Sequence, residues 1–285
     1  MRWGVEKRLE FIEFRLFWEG RINRADIMDQ FGVSVPQASK DLSLYEEKAP
    51  GNLAYDKSEK RYRAARKFKP VFLKPEADRY LAQLRSVSDN LVTHDETWLT
   101  DYPDHDAMPV PHRRVDAEVL RKLLAAIRQS RALEIYFQSM NVNRPDPVWR
   151  WITPHAFAFD GLRWHVRAYC HIDQKFKDFI LSRFLDTRAD AEPGAKPTDD
   201  RLWAEFFDVV LCPNPVLSAT QQQVIAQDYD MTDGCVAVPV RKALLYYFSK
   251  RLRLDVSGML DNPHESPVVL ANSDAFKKAL AEAMA

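Results

Sequence analysis

The chain lacks several features that would settle its function early. No apolar run approaches the roughly 18 residues that a bilayer-spanning helix needs, and the opening "MRWGVEKRLEFIEF" has no secretory apolar core. Only 8 of 285 residues are glycine. None of them builds a phosphate-cradling loop or a strained nucleophile turn, and HExxH is absent as well. An excess of charge of one sign is also missing: 41 Lys and Arg balance 41 Asp and Glu, so affinity for a polyanion has to come from a local patch. Cysteine is scarce; Cys170, Cys212 and Cys235 are odd in number and lack metal-ligand spacing. All three read as reduced, buried small hydrophobes of a cytoplasmic protein without metal or cofactor. With 46% apolar and 29% charged residues, the composition is globular, and the length suits two or three domains.

Residues 3–18 carry Val5, Leu9, Ile12 and Leu16 at helical spacing, and Gly20 ends that helix. Two further helices follow around Gly32, the first capped by Asn23. The second is capped by Ser34, with Pro36 in its first turn and Val35, Ala38, Leu42 and Tyr45 on its inner face. "NLAYDKSEKRYRAA" then reads as a β-hairpin with a charged tip. Three helices and a hairpin form a winged helix-turn-helix, expected over 1–70. From Lys57 to Lys69 there are seven basic residues and one acid, Glu59.

Residues 71–130 read as a helical linker and dimerisation segment, with helices over 74–92 and 115–130 and a Pro, Asp and His-rich loop between them. That loop's His and Asp residues are too irregularly spaced for a metal site. Period-two alternation takes over from 131 to about 190, with strands expected in "LEIYFQS", "WRWITPHAFAFDG", "RWHVRAYC" and "DFILSRFLDT". "ADAEPGAKPTDD" reads as a linker, and 201–285 as a C-terminal α+β domain. The expected class is therefore multidomain α+β.

Two constellations carry chemistry. Ser34, Pro36, Gln37, Ser39 and Lys40 occupy the exposed first turns of the second helix, where a recognition helix meets base edges. Lys57, Ser58, Lys60 and Arg61 on the hairpin suit phosphate or the minor groove. In "DGLRWHVRAYC", Trp164, Val166, Ala168 and Cys170 alternate onto a core face, and His165, Arg167 and Tyr169 onto the other. Together with Ser139, His155 and Arg183, the residues His165 and Arg167 form a polar surface suited to an anion; Arg150 is a further, weaker candidate. A purely structural reading stays open beside this one, with Arg167 and Arg183 paired to Asp178, Asp186 or Glu134.

"WITPHAFAFDGLRWHVRAYC…FKDFILSRF" resembles the signature of WYL-domain proteins. Pro154-His155, Asp160-Gly161, Arg167 to Cys170 and Phe179 to Arg183 carry the match, and Trp164-His165-Val166 stands where the family has Trp-Tyr-Leu. Histidine at that place fits a branch found among transcriptional regulators of phage-defence islands such as BREX and CBASS systems. The resemblance implies a small Sm-like β-barrel over 131–190 and a homodimeric repressor that reads an inverted-repeat operator in double-stranded DNA. It also implies a barrel that senses a nucleic-acid or nucleotide ligand through Ser139, His155, His165, Arg167 and Arg183. The competing readings are an accessory nucleic-acid-binding module and a nuclease. The nuclease lacks paired carboxylates beside these residues.

Overall fold

In the computed structural model, which describes residues 3–254, 262–263 and 265–285, the chain divides into two units, Met1–Val110 and Pro111–Ala285. The first begins with α1 (Trp3–Trp18), β1 (Arg21–Ile22), α2 (Arg24–Phe31) and α3 (Val35–Lys48). Asn23 and Asp26 close a capping box at the start of α2, which is worth about 1 kcal/mol. Gly32 takes φ 62° at its end, a left-handed conformation that costs glycine no Cβ clash. The Ser34 hydroxyl accepts from the Gln37 N–H and starts α3. Leu9, Ile12, Leu16, Ile22, Ile27, Ala38, Leu42 and Tyr45 are all buried in one core. Val35, expected on the inner face, is 50% exposed, because the core begins one turn later at Ala38.

The hairpin is β2 (Leu53–Asp56) and β3 (Arg61–Ala64), and β1 adds a third strand in the order β1-β3-β2. Two residues are too few to show alternation, so β1 exists only through its pairing with Tyr62 and Arg63. Glu13 is fully buried in α1 and accepts from the N–H groups of Val71, Phe72 and Leu73 and from the Tyr45 hydroxyl. That bonding compensates a burial that would otherwise be costly, and it fixes the chain after the wing. The helix α4 (Ala77–Ser88) follows.

The second unit opens with α5 (Ala117–Gln129), whose Val119, Leu123 and Ala126 join the core of the sheet behind it. The sheet comprises β4 (Ala132–Phe137), β5 (Val148–Phe159), β6 (Trp164–Cys170), β7 (Lys175–Ile180) and β8 (Phe184–Ala191), all antiparallel, in the order β7-β6-β5-β4-β8. "DFILSRFLDT" is thus two strands at opposite edges, joined by a 3-10 turn at Leu181–Arg183. Edges of a flat five-stranded sheet lie about 19 Å apart, yet Ile180 to Phe184 spans at most about 14 Å. The sheet therefore curls until its edges approach, which is the barrel. A bulge between Pro154 and Ala156 breaks the β5–β6 register and makes His155 the extra residue, re-aimed off the strand's parity.

Trp164 is 52% exposed instead of lying in the core with Val166, Ala168 and Cys170; it packs on its cross-strand partner Phe159 beside the β5–β6 turn. The expected linker is also more than a connection, since it ends on Asp200, which is 1% exposed. Beyond it come α6 (Arg201–Ala204), β9 (Phe206–Pro213), α7 (Ala219–Asp228), β10 (Val236–Arg241), α8 (Leu245–Arg251), β11 (Val268–Leu270) and α9 (Ser273–Met284), with strand order β10-β9-β11. Cys212 and Cys235 are disulfide-bonded, with a Cα–Cα distance of 4.4 Å, which corrects the reading of three reduced thiols; Cys170 alone stays free and buried. The antiparallel register that sets Val236 opposite Leu211 also brings these two cysteines face to face. Among the described residues no helix is long and apolar enough to cross a membrane.

Candidate nucleic-acid interface and anion cavity

The exposed start of α3 holds Ser34, Val35, Pro36 and Lys40, with Gln37 and Ser39 half-buried. Gln37 is already engaged: its Nε2 donates to Asp41 Oδ1 at 3.0 Å, and Arg8 clamps the same carboxylate through Nε at 2.6 Å. Its carbonyl oxygen therefore points away from Asp41. Arg24 Nη1 reaches the Ser39 hydroxyl at 3.4 Å, so it stands beside the same turn. On the hairpin, Lys57, Ser58, Lys60 and Arg61 sit at the tip or its shoulder, with Lys60 at φ 53°. Asp56 organises that tip by accepting from the N–H groups of Ser58 and Glu59. The Ser58 hydroxyl also binds Asp56 and is spent on the turn. Those bonds hold the Asp56 carboxyl down to about 2, the Ser58 hydroxyl contributing most. Arg63 is neutralised by Asp56 and Glu59. Among the described residues Lys57, Lys60 and Arg61 on the hairpin and Lys40 on α3 have no acidic partner, so they carry free positive charge.

The five expected barrel residues fall into two groups. Arg167, 4% exposed, is gripped by Asp200 through Nε at 2.7 Å and Nη2 at 3.0 Å, and by Asp178 through Nη1 at 3.3 Å. His155 Nε2 lies 2.9 Å from the same Asp200, and its ring meets Phe176 and Trp203 edge-on. These two side chains form an internal cluster and are not among the residues lining the cavity beside the barrel. Burial works to raise the Asp200 carboxyl, but the bonds from His155 and Arg167 outweigh it and hold it at about 2.

Ser139, His165 and Arg183 do come together. They line a cavity of about 310 Å³ with Phe137, Arg150, Arg163, Lys177, Asp178, Phe179, Ile180, Tyr246 and Tyr247. Arg183 reaches it from the 3-10 turn and has no carboxylate partner among the described residues; burial, with Arg163 and Arg113 nearby, lowers its pKa from the ordinary guanidinium value. Arg163 and His165 share Asp160, each at 2.9 Å, and Asp160 is held at about 2 by them and by two backbone N–H groups, against the opposing effect of burial. Lys177 is paired with Asp173. Asp178 is shifted upward by burial despite Arg167 and His165.

Arg150 is the clearest signal. It is 4% exposed, lies over the Phe137 ring at 5.8 Å, and its Nε and Nη2 have no hydrogen-bond partner. Leaving these two buried N–H groups unpaired costs about 1 to 3 kcal/mol, and a bound anion would remove that penalty. His165 Nδ1 is buried and unpartnered as well. The sequence flagged Arg150 weakly and missed Arg163, Lys177, Tyr246 and Tyr247. Arg163 beside Asp160-Gly161 looks like turn chemistry, and "LLYYF" looks like any helix.

A winged helix-turn-helix ahead of a curled five-stranded sheet with an α+β domain behind it defines the WYL-domain transcriptional regulators. Family models agree along the chain: the BrxR transcriptional regulator winged helix-turn-helix domain matches residues 4–86. The WYL domain matches 118–189, and the BrxR transcriptional regulator C-terminal dimerization domain matches 206–276. The chain belongs to the family of the DNA-binding transcriptional repressor CapW. It is 40% identical to the protein of that name from Stenotrophomonas maltophilia over 285 residues, covering 99% of this chain and 94% of the relative. It is 38% identical to those of Escherichia coli (strain KTE188), covering 96% and 91%, and of Pseudomonas aeruginosa, covering 97% and 92%. These relatives are named as regulators and not as enzymes.

Proposed function

We propose that this chain is a homodimeric, sequence-specific DNA-binding repressor that controls a phage-defence operon in the cytoplasm. Two α3 helices enter successive major grooves of an inverted repeat, about 34 Å apart. Ser34, Gln37, Ser39 and Lys40 face base edges and phosphates there, and Val35 offers an apolar contact to a thymine methyl. Pro36 keeps the first turn free of an unsatisfied N–H. Lys57, Lys60 and Arg61 hold phosphates beside the groove, on a tip that Ser58 and Asp56 keep folded. The observation that supports this reading best is the set of cations without acidic partners on the wing and α3 of a chain from this family.

The barrel cavity senses an anionic nucleic-acid or nucleotide ligand, bound by Arg150, Arg183, His165 and Ser139. Arg167 and His155 support that site from behind through Asp200. The ligand acts by binding two arrangements of the dimer with different affinity. Footprinting and titration of the DNA upstream of the chain's own gene test the repressor. We expect protection of an inverted repeat and an affinity loss of about 10³-fold or more between 50 and 200 mM salt, as six to eight phosphate contacts require. A salt-independent affinity or an asymmetric footprint would remove the dimeric reader.

A further inference from the structure

The Cys212–Cys235 disulfide lies where both backbones are already fixed. The β9–β10 ladder ends at Leu211 opposite Val236, so these cysteines are the next pair outward. Cys212 is also paired with Val269 on β11. Cys235 exchanges both backbone hydrogen bonds with Thr232 in a tight turn, at 3.1 and 3.2 Å. Their Cα–Cα distance of 4.4 Å is the spacing of an antiparallel pair that shares no hydrogen bonds, about 4.5 Å. Ladder and turn therefore keep the two sulfurs adjacent whether or not they are bonded. Neither residue is fully buried, unlike Cys170 at 0% exposure.

The bond closes an excursion that little else holds. The chain runs out from β9, forms α7 and returns to β10. Asn214, fully buried, fastens the outgoing end by donating to the carbonyls of Pro267 and Ser266. Beyond that anchor no side chain of α7 is buried, and no residue from 213 to 235 packs in the C-terminal core. Val216, Val224 and Tyr229 are exposed. A capping box of Ser218 and Gln221 starts α7, but its ten residues are too few for a stable helix in water without packing.

We propose that Cys212–Cys235 is a reversible redox site: closed, it holds α7 on the C-terminal domain; open, it releases the helix while the strands stay paired. In the cytoplasmic setting proposed for this repressor, such bonds are usually transient and redox-sensing. The reaction partner is a dithiol, whose thiolate attacks one cysteine sulfur. The S–S bond breaks, the other cysteine leaves as a thiolate, and a mixed disulfide forms. The second thiol of the partner then displaces the first cysteine. The cysteines together gain two electrons and two protons, and the dithiol becomes a disulfide. A small disulfide reverses these steps, and the fixed backbones make reclosure intramolecular. The excursion lies inside the stretch matched by the dimerization model, 206–276, so the thiol balance reaches the repressor through its C-terminal domain.

The test uses the full-length chain, oxidised with glutathione disulfide, reduced with dithiothreitol and oxidised again. Alkylation and peptide mass spectrometry report the bond at each stage, and hydrogen exchange on the same samples reports α7. We expect the bond to open and reclose in the folded chain. The α7 amides should exchange at least roughly tenfold faster when it is open, with β9 amides remaining slower than those of α7. Cys212→Ser with Cys235→Ser should show the fast α7 exchange under both conditions. A bond that never forms, or one that dithiothreitol opens only after the chain unfolds, overturns the redox site. Identical α7 exchange in the oxidised and reduced chain overturns the hold on the helix, and so does loss of β9 and α7 protection together.

Discussion

Replacing Asp200 by Asn should unfold the second unit much more readily. Asp200 receives two bonds from Arg167, at 2.7 and 3.0 Å, and one contact from His155 at 2.9 Å, and its side chain is 1% exposed. An amide keeps the shape and removes the charge, leaving Arg167 with Asp178 alone at 3.3 Å. Breaking a buried pair by removing one partner costs about 3 to 5 kcal/mol; with Asp178 remaining, about 3 kcal/mol is the expectation. The pH dependence of the same contacts gives a second figure. A carboxyl lowered from 3.8 to about 2 contributes about 2.5 kcal/mol at roughly 1.4 kcal/mol per unit. Because the folded value is depressed, that stability is complete above pH 4 and lost as pH falls through about 2. About half should be gone by pH 3. Hydrogen exchange read on peptides from β6 and α6 isolates this unit from the N-terminal one. We expect protection to fall by about 100-fold at pH 7 and the gap to the parent chain to narrow below pH 4. Arg167→Met with Asp200→Asn should cost less than the two single changes added together. A loss below about threefold, or a gap that does not change with pH, would refute the clamp and return Arg167 to the ligand-binding candidates.

Other consequences can be checked directly. Arg150→Met should raise the melting temperature of the ligand-free chain by about 2 to 12 °C, since an unpartnered guanidinium costs about 1 to 3 kcal/mol; a lower melting temperature would mean the group is satisfied. Changing Lys57, Lys60 or Arg61 to Ala should each reduce the salt slope of operator binding by about one per neutralised phosphate, without altering sequence preference. Reducing the Cys212–Cys235 bond, with its sequence separation of 23, should destabilise the C-terminal domain by about 3 kcal/mol. The Cys212→Ser, Cys235→Ser double variant should then be insensitive to reductant; an equal response in both proteins would place the effect elsewhere.

The order of domains was legible because each rests on local patterning. Asn23, Gly32, Ser34 and Pro36 punctuate the helices through their own backbones, and period-two runs mark strands wherever one face is dry. The candidate site was half legible. His165 and Arg183 lie on the cavity, but alternation assigned Arg183 to a strand when a 3-10 turn carries it. His155 left the strand's parity at a bulge. No local pattern could pair Arg167 with Asp200, 33 residues away.

The sequence by itself determined most of the helices and strands, the order of the domains and the basic wing, since these follow from propensity, capping and short-range spacing. Tertiary structure alone decided which cations stay free. Arg167 and Arg150 are both guanidiniums on neighbouring strands of one sheet, and each is 4% exposed. A carboxylate from the linker reaches the first, and among the described residues none reaches the second. Whether a buried charge is satisfied depends on which distant group folds against it, and that information is not present in the residue itself or in its neighbours along the chain.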